Sequence, residues 1–436
     1  MITTIIISAI TFVGIALSIV LFPHIKIKNI KIDTYWLIAF LGALLLVITL
    51  SCPINEIVSS WSNTSAVNPI KILILFFSMT ILSIYLDEIG LFKYLASLAV
   101  KKAKSHQKVL FVFLYVLISA LTIFTSNDIV ILTFTPFICF FCKHAKISPL
   151  PYLVAEFVAA NTWSMMFIIG NPTNIYLGTS AGLSFISYFE VMALPTVLAG
   201  MMEFDIIFLL FNKKLSVPLQ DDGAEIVHIE SKVDLIIGLA HLLICLVFLV
   251  ISSPLHIEMW IVSLISAVSL LICSLIVRLI KKKQWSYLSD SFKRLPYQLI
   301  PFILSMSIIV IAINYQGIAQ KIGEFLNQGN VIFTYGYASF LGSNVFNNIP
   351  MSILFSEVAT TITDTSVYLK AIYATIIGSN IGAFLTPIGA LAGIMLSNLV
   401  NKYEIKYTFL DFIKYGAIVS VPVISVALLG LLLIVH

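Results

Sequence analysis

Charge is what this chain has least of. Only 11% of its 436 residues are Asp, Glu, Lys or Arg, whereas a soluble domain carries roughly 25%. So few charges cannot cover a water-facing surface. With 60% hydrophobic residues and a mean hydropathy of +1.05, the solvent must be lipid. Cysteine is also scarce. Cys52, Cys139, Cys142, Cys245 and Cys273 lie within apolar runs or at the end of one, which excludes a disulfide framework. Cys139 and Cys142 form a C-x-x-C pair. On an apolar helix it reads as two small side chains one turn apart, with metal or thiol binding as the alternative. There is no H-E-x-x-H pattern, no cluster of His and carboxylates with metal-ligand spacing and no G-x-x-x-x-G-K-[ST] loop. That speaks against an enzyme, and against ATP hydrolysis by this chain itself. The net charge of +4 is modest and calls for no nucleic-acid partner. No basic segment or small-residue cleavage site follows Met1, so 2–22 reads as a retained helix.

A bilayer span takes about 20 mostly apolar residues. Candidate spans are 2–22, 34–52, 70–87, 150–178, 191–212, 233–253, 257–280, 296–313, 367–397 and 412–435. Two apolar stretches do not fit. One, 109–142, is interrupted by Thr125-Ser126-Asn127-Asp128; the other, 331–356, by Gly342 to Pro350. Polar breaks at mid-depth are tolerated only where protein or water surrounds them. Both stretches therefore read as re-entrant hairpins. Lysine and arginine support this folding of the chain. Clusters at Lys26–Lys31, Lys93–Lys108, Lys143–Lys146, Lys213–Lys214, Arg278–Arg294 and Lys402–Lys414 then fall on one side, and the loops 53–68 and 252–258 opposite carry none. The basic side is the cytoplasmic one, which puts both termini outside a plasma-membrane protein. Lys71, Lys321 and Lys370 fall on the sparse side and run against the pattern.

A hydrophilic stretch, 212–232, containing Asp221-Asp222-Gly223-Ala224-Glu225, divides the chain. It reads as a cytoplasmic linker between a first repeat, 1–211, with its hairpin at 109–142, and a second, 233–436, with its hairpin at 331–356. The expected architecture is an all-α polytopic membrane protein made of two inverted halves, each with five transmembrane helices plus one re-entrant hairpin. Spacing supports the repeat. Asn161 and Asn380 are separated by the same interval as Gly170 and Gly389, and Asn127-Asp128 and Asn347-Asn348 match that interval to within one position. Opposed topology with such spacing is the mark of inverted-repeat transporters.

Gly170-Asn171-Pro172-Thr173-Asn174 interrupts one apolar segment. Gly378-Ser379-Asn380-Ile381-Gly382, with Leu385-Thr386-Pro387-Ile388-Gly389, interrupts its counterpart. Broken helices aim positive N-terminal ends at anions, and their freed carbonyls hold cations. The expected solute site is Ser126, Asn127, Asn171, Thr173, Asn174, Ser343, Asn344, Asn347, Asn348, Ser379, Asn380 and Thr386. Asp128, a carboxylate at a hairpin tip, and Glu156, roughly 10 Å inside the membrane, are the ion-coupling candidates. Capping of its own helix is the alternative for Asp128. Glu203 and Asp205 read as approaching the cytoplasmic surface, and Asp87-Glu88 as interfacial.

These segments resemble the ion transporter superfamily, and within it the branch of arsenite and related anion permeases, akin to divalent-anion/sodium symporters and citrate carriers. The carrying residues are Ser126-Asn127-Asp128 through Leu132-Thr133-Phe134-Thr135-Pro136, Gly170 to Asn174, Ser343-Asn344 through Asn347-Asn348-Ile349-Pro350, and Leu385 to Ala392. The resemblance implies an elevator-type carrier, a homodimer, symport or antiport with H⁺ or Na⁺, a bound Na⁺ in sodium-coupled members and, for an arsenite permease, a soluble ATPase partner. Sodium-coupled dicarboxylate carriers have Ser-Asn-Thr at both tips. Here Asp128 and Val345 take the place of Thr, which moves weight toward arsenite, antimonite or proton coupling. No Arg or Lys lies in the four motif stretches. An ion channel on the same inverted-repeat fold is the competing reading.

Overall fold

The computed structural model describes residues 1–27, 30–62, 68–104, 106–219, 228–229, 231–281 and 286–435. The acidic run Asp221 to Glu225 lies outside them. In the first half, α1 (Ile2–Leu21) leads through a two-stranded antiparallel ribbon, β1 (His24–Ile27) and β2 (Ile30–Asp33), into α2 (Thr34–Ile48). Then follow α3 (Ile54–Ser62), α4 (Pro69–Glu88), α5 (Leu91–Ala103), α6 (Gln107–Phe124), α7 (Asn127–His144), α8 (Leu150–Trp163), α9 (Pro172–Ser180) and α10 (Phe185–Leu215). The second half has α11 (Lys232–Ile251), α12 (Met259–Lys281), α13 (Ser286–Lys293), α14 (Leu299–Tyr315), α15 (Ile318–Leu326), α16 (Val331–Phe346), α17 (Asn348–Ala359), α18 (Thr365–Gly382), α19 (Leu391–Lys402) and α20 (Phe409–Ile434).

Local chemistry sets these boundaries. Asn68 caps α4 by accepting from the amides of Ile70 and Lys71, with Pro69 at the first helical position. Capping boxes start α10 (Ser184 with Ser187) and α20 (Thr408 with Asp411). Among the described residues, seven helices are each long and apolar enough to cross a bilayer: α1, α4, α6, α10, α11, α12 and α20. Their outward faces are apolar, as lipid requires. The apolar span expected at 34–52 is shorter, since α2 ends at Ile48. The pair α14–α15 bends by 78°. The ribbon is the departure from an all-helical chain.

The helices break at both expected tips, between α6 and α7 at Thr125-Ser126 and between α16 and α17 at Asn347. The two broken helices are present as well, but their breaks are placed differently from the expectation. The first covers Ser164–Asn171, including two short 3-10 turns, and opens before Gly170. The second covers Ala383–Ala390, so Gly378 to Gly382 stay helical. Both ends of the second break lie at the same interval from those of the first as Asn380 from Asn161 and Gly389 from Gly170. Contacts repeat in the same sense: α2 packs on α14 as α12 does on α4, α7 on α19 as α17 does on α9, and α10 meets its own counterpart α20. These paired contacts mark an internal repeat. The tightest crossing is α16 on α18, where a Cβ on Gly378 would fall 2.2 Å from the Gly336 carbonyl oxygen. Only glycine permits that approach.

Candidate functional site

The first break folds onto α18. Asn380 sits fully buried at the junction and uses all four of its amide valences. Its Nδ2 donates to the Ile376 carbonyl (2.8 Å) and to Asn174 Oδ1 (2.6 Å). Its Oδ1 accepts from Ser164 Oγ (3.1 Å) and Asn171 Nδ2 (3.0 Å). Asn174 Nδ2 donates to the Ser164 carbonyl at 2.8 Å, and Asn171 Oδ1 caps α9 through the Thr173 amide at 3.1 Å. Ser379 Oγ donates to Thr173 Oγ1 at 3.3 Å. The structure thus joins Asn171, Thr173, Asn174, Ser379 and Asn380 into one buried network that crosses the two halves.

The first hairpin tip meets this network from the side. Asn161 on α8 has its Nδ2 committed to the Phe157 carbonyl (2.7 Å), so its Oδ1 is an acceptor, and Asn127 Nδ2 donates to it at 3.2 Å. The amide orientation of Asn127 follows. Its Oδ1 is buried and has no hydrogen-bond partner among the described residues, and neither has Ser126 Oγ. Asp128, one position on, faces a crevice of about 120 Å³ between α1, the start of α2, the start of α14 and α19. His24, Asp33, Tyr35, Gln298 and Asn398 share that crevice. His24 is paired with Asp33. Burial pushes the Asp33 carboxyl above the usual carboxylate range, while His24 and Gln298 pull it back.

The second tip is closed on itself. Asn344 Nδ2 donates to the Gly382 carbonyl (3.0 Å), and its Oδ1 accepts from Thr386 Oγ1 (2.8 Å). Asn347 Nδ2 donates to the Ile388 carbonyl (3.0 Å) and its Oδ1 caps α17 through the Ile349 amide (3.3 Å). The Asn348 amide donates to the Gly389 carbonyl at 2.9 Å. Ser343 Oγ donates back to the Ser339 carbonyl at 2.9 Å.

Glu156 is fully buried beside α7, away from both tips. Thr135 Oγ1 donates to its Oε1 at 2.9 Å, and its Oε2 has no partner among the described residues. Two carboxylates are placed otherwise than the sequence suggests. Glu203 does not approach water: it is fully buried between α6, α8 and α10, beside Tyr115 and Thr162. Asp87 stands in the last turn of α4, as expected, but its side chain is turned into the protein. It is buried, accepts from Thr133 Oγ1 on α7 (2.7 Å) and pairs with Arg294 (2.7 Å), which also holds Glu88 at 2.5 Å. Sequence separation hid both. Lys71, on the lysine-poor side, is paired with Glu258 at 2.6 Å, which removes much of its conflict with the charge pattern. Gly178-Thr179-Ser180-Ala181-Gly182 spells G-x-S-x-G, but it ends α9 rather than joining a strand to a helix. Ser180 Oγ donates to the Leu177 carbonyl at 2.9 Å, so this is no nucleophile elbow. Among the described residues no three His, Cys, Asp or Glu side chains gather as a metal site, and Cys139 and Cys142 are free and buried.

A family model described as citrate transporter matches residues 30–378. The chain is 26% identical to an arsenical pump membrane protein of Escherichia coli over 412 residues, covering 91% of this chain and 92% of that one. It is 23% identical to the 46 kDa membrane protein of Mycobacterium leprae over 380 residues, 83% and 85% of the two chains. In three dimensions it is similar to the crystal structure of the YdaH transporter of Alcanivorax borkumensis, with a TM-score of 0.57 at 12% identity, covering 99% of this chain and 97% of that one. At that identity the likeness is one of fold.

Proposed function

This chain belongs to the citrate transporter family, a secondary membrane transporter of small solutes rather than an enzyme, and from that premise we propose that its solute is a small neutral oxyacid of the arsenite or antimonite class. The observation that carries this is the pair of buried, unpartnered oxygens at the first tip, Ser126 Oγ and Asn127 Oδ1. An amide oxygen accepts only. A solute bearing hydroxyl protons satisfies it, whereas a bare carboxylate brings another acceptor. The uncharged amides around it also disfavour a multiply charged anion such as citrate, which wants basic residues or bound cations. The arsenical pump relatives, matched over most of their length, agree with this choice. Di- or tricarboxylates with bound Na⁺ form the second solute class, favoured by the family description.

Transport is by alternating exposure of the first tip and the central network, with the two halves inverted in the membrane, each of five transmembrane helices and a hairpin. Two crevices support it. The first, with Asp128, lies at the α1–α2 connection, the start of α14 and α19. The second, of about 230 Å³, lies at the α11–α12 connection, the start of α4 and the end of α9. The two crevices draw on corresponding elements of the two halves, which inversion sets on opposite sides of the bilayer. Hairpins and broken helices then travel against α1, α2, α4, α11, α12 and α14 as an elevator, the basic loops and the linker being cytoplasmic and both termini outside. Asp128 carries the coupling ion, with H⁺ preferred over Na⁺. A homodimer and, for arsenite, a soluble ATPase partner accompany the reading.

The test is uptake of labelled arsenite, citrate and succinate into proteoliposomes under imposed H⁺ or Na⁺ gradients, with wild type beside Asp128→Asn. Arsenite accumulation driven by the proton gradient and lost in the variant is expected. Sodium-driven citrate uptake would overturn the neutral-oxyacid reading, and a gradient-insensitive ohmic current would leave a channel.

A further inference from the structure

The last turn of α8 holds four consecutive side chains that reach in four directions. Asn161 meets the first hairpin tip, Thr162 meets Glu203, Trp163 meets Tyr115, and Ser164 meets Asn380. Glu203 has no Lys, Arg or His within ion-pair distance among the described residues. Its surroundings can be counted proton by proton. Three short oxygen–oxygen contacts meet there: Tyr115 Oη with the Gly200 carbonyl oxygen (2.6 Å), Tyr115 Oη with Glu203 Oε1 (2.7 Å), and Thr162 Oγ1 with Glu203 Oε2. Each needs a proton between its oxygens, but the two hydroxyls supply only two. Trp163 Nε1 donates to Tyr115 Oη at 3.1 Å and adds nothing to the other three. The balance closes when the third proton is on the carboxyl. Glu203 then donates to Tyr115 Oη, Tyr115 donates to the Gly200 carbonyl, Thr162 donates to Glu203, and the two lone pairs of Tyr115 take Trp163 and Glu203.

We infer that Glu203 is a proton-binding site, distinct from the hairpin tips, whose occupancy positions the last turn of α8 and hence Asn161 and Ser164. Losing that proton leaves three contacts with two protons in a site without water-facing surface. Thr162 and Tyr115 then both donate to the carboxylate, the Tyr115 contact with the Gly200 carbonyl separates, and Trp163, which donates to the moving Tyr115 Oη, carries its neighbours on α8 with it. The other ionisable groups on the packed elements point elsewhere: Asp205 on α10 is exposed, and Lys108 opens α6 two turns before Tyr115. On α8, Glu156 bonds Thr135 instead. On α20, Asp411 caps its own helix, and Lys414 and Tyr415 stack near Phe211, two turns further along α10. On α18, Tyr373 bonds the Ser187 carbonyl at the far end of α10, and on α11 His241 bonds Ser269; Asp234 stands at the opposite, opening turn of α11.

This rests on the transporter reading for its consequence, but its chemistry can be read without transport. Infrared difference spectra of the purified protein, wild type minus Glu203→Gln, should show a protonated-carboxyl C=O band at neutral pH. The glutamine amide donates to Tyr115 and accepts from Thr162, so the variant mimics the protonated state and keeps its packing. Thr162→Val provides a second handle: removing the hydroxyl donated to Oε2 should move the band to higher frequency. In proteoliposomes at a fixed proton gradient, wild-type uptake should show, beside the pH dependence that Asp128 confers, a further variation of up to about tenfold per unit where Glu203 titrates, and Glu203→Gln should lose that component alone. A missing band, or one that Thr162→Val leaves in place, overturns the proton site. A band with an unchanged pH profile in Glu203→Gln overturns its positioning role. Absent uptake of every solute in wild type would count against the transporter reading alone, since the band does not depend on it.

Discussion

Asn127 and Asn347 stand at equivalent positions of the two hairpin tips and do opposite things. Asn127 reaches across to the α8 asparagine of its own half and leaves an amide oxygen buried without a partner among the described residues. Asn347 turns away from the corresponding asparagine, Asn380, and ties itself to the Ile388 carbonyl and its own helix. Asn380 has been taken by Ser164, Asn171 and Asn174 of the first half. A repeat that supplies the same residues twice has therefore been used asymmetrically. At one tip Ser126 and Asn127 keep buried free valences, as a ligand-binding element must; at the other Asn344 and Asn347 have closed theirs, as structural residues do. Repeated sequence tells where polar groups gather, and the hydrogen-bond inventory tells which of them remain available.

The hairpins also differ in how they are braced, and this gives the largest expected effect. The first is held by Thr133 donating to buried Asp87, which Arg294 neutralises from the other half of the chain. The second is held by Asn314 donating to Glu357 at 2.8 Å, with no cation paired to it among the described residues. Arg294→Ala leaves a buried, uncompensated carboxylate and should cost about 3–5 kcal/mol; Glu357→Gln should cost under about 1 kcal/mol. Thermal unfolding in detergent checks both. Similar losses would mean that the two braces are equivalent.

The comparison between tips is sharpened by truncating each. Asn127→Ala should lower uptake about twofold to tenfold, the loss of one neutral site hydrogen bond of about 0.5–1.5 kcal/mol, and should lower the unfolding temperature less than Asn344→Ala does, since it strands a single partner, Asn161 Oδ1. Asn344→Ala strands the Thr386 hydroxyl and the Gly382 carbonyl, and should destabilise the fold by about 1–3 kcal/mol before it touches solute affinity. Reading KM and unfolding temperature on both variants separates the roles. If Asn344→Ala raised KM at unchanged stability, both tips would bind solute and the asymmetry would be one of appearance only.

Much of this was legible in the sequence. Apolar runs gave the long helices, polar interruptions gave the helix breaks at Thr125-Ser126 and Asn347, and the shared spacing of Asn127, Asn161 and Gly170 with their counterparts gave the repeat. Helices α3, α5, α13 and α15 were not legible, being short and lying beside the spans rather than within them. Nor was the partnership of Asp87 with Arg294, two residues from different halves, or the burial of Glu203, since α10 carries polar residues on more than one face. Asp128 was singled out by its charge, but only the packing of α1, α14 and α19 reveals that it faces a crevice rather than the central network.

The smallest expected effect concerns backbone strain at the closed tip. Asn347 has φ +72° and ψ 150°, a conformation that costs a side-chain-bearing residue about 1–3 kcal/mol. The two hydrogen bonds of its side chain, each worth about 1 kcal/mol, hold it there. Asn347→Gly removes the bonds and the strain together, so stability should change by less than about 1 kcal/mol. Asn347→Ala removes the bonds and keeps the strain, and should cost roughly 2 kcal/mol, the worth of the two lost bonds. The difference between the two variants isolates the backbone term from the side-chain term. If glycine were as damaging as alanine, the side-chain bonds alone would secure this tip, and the strained turn would have to be assigned a cost close to zero.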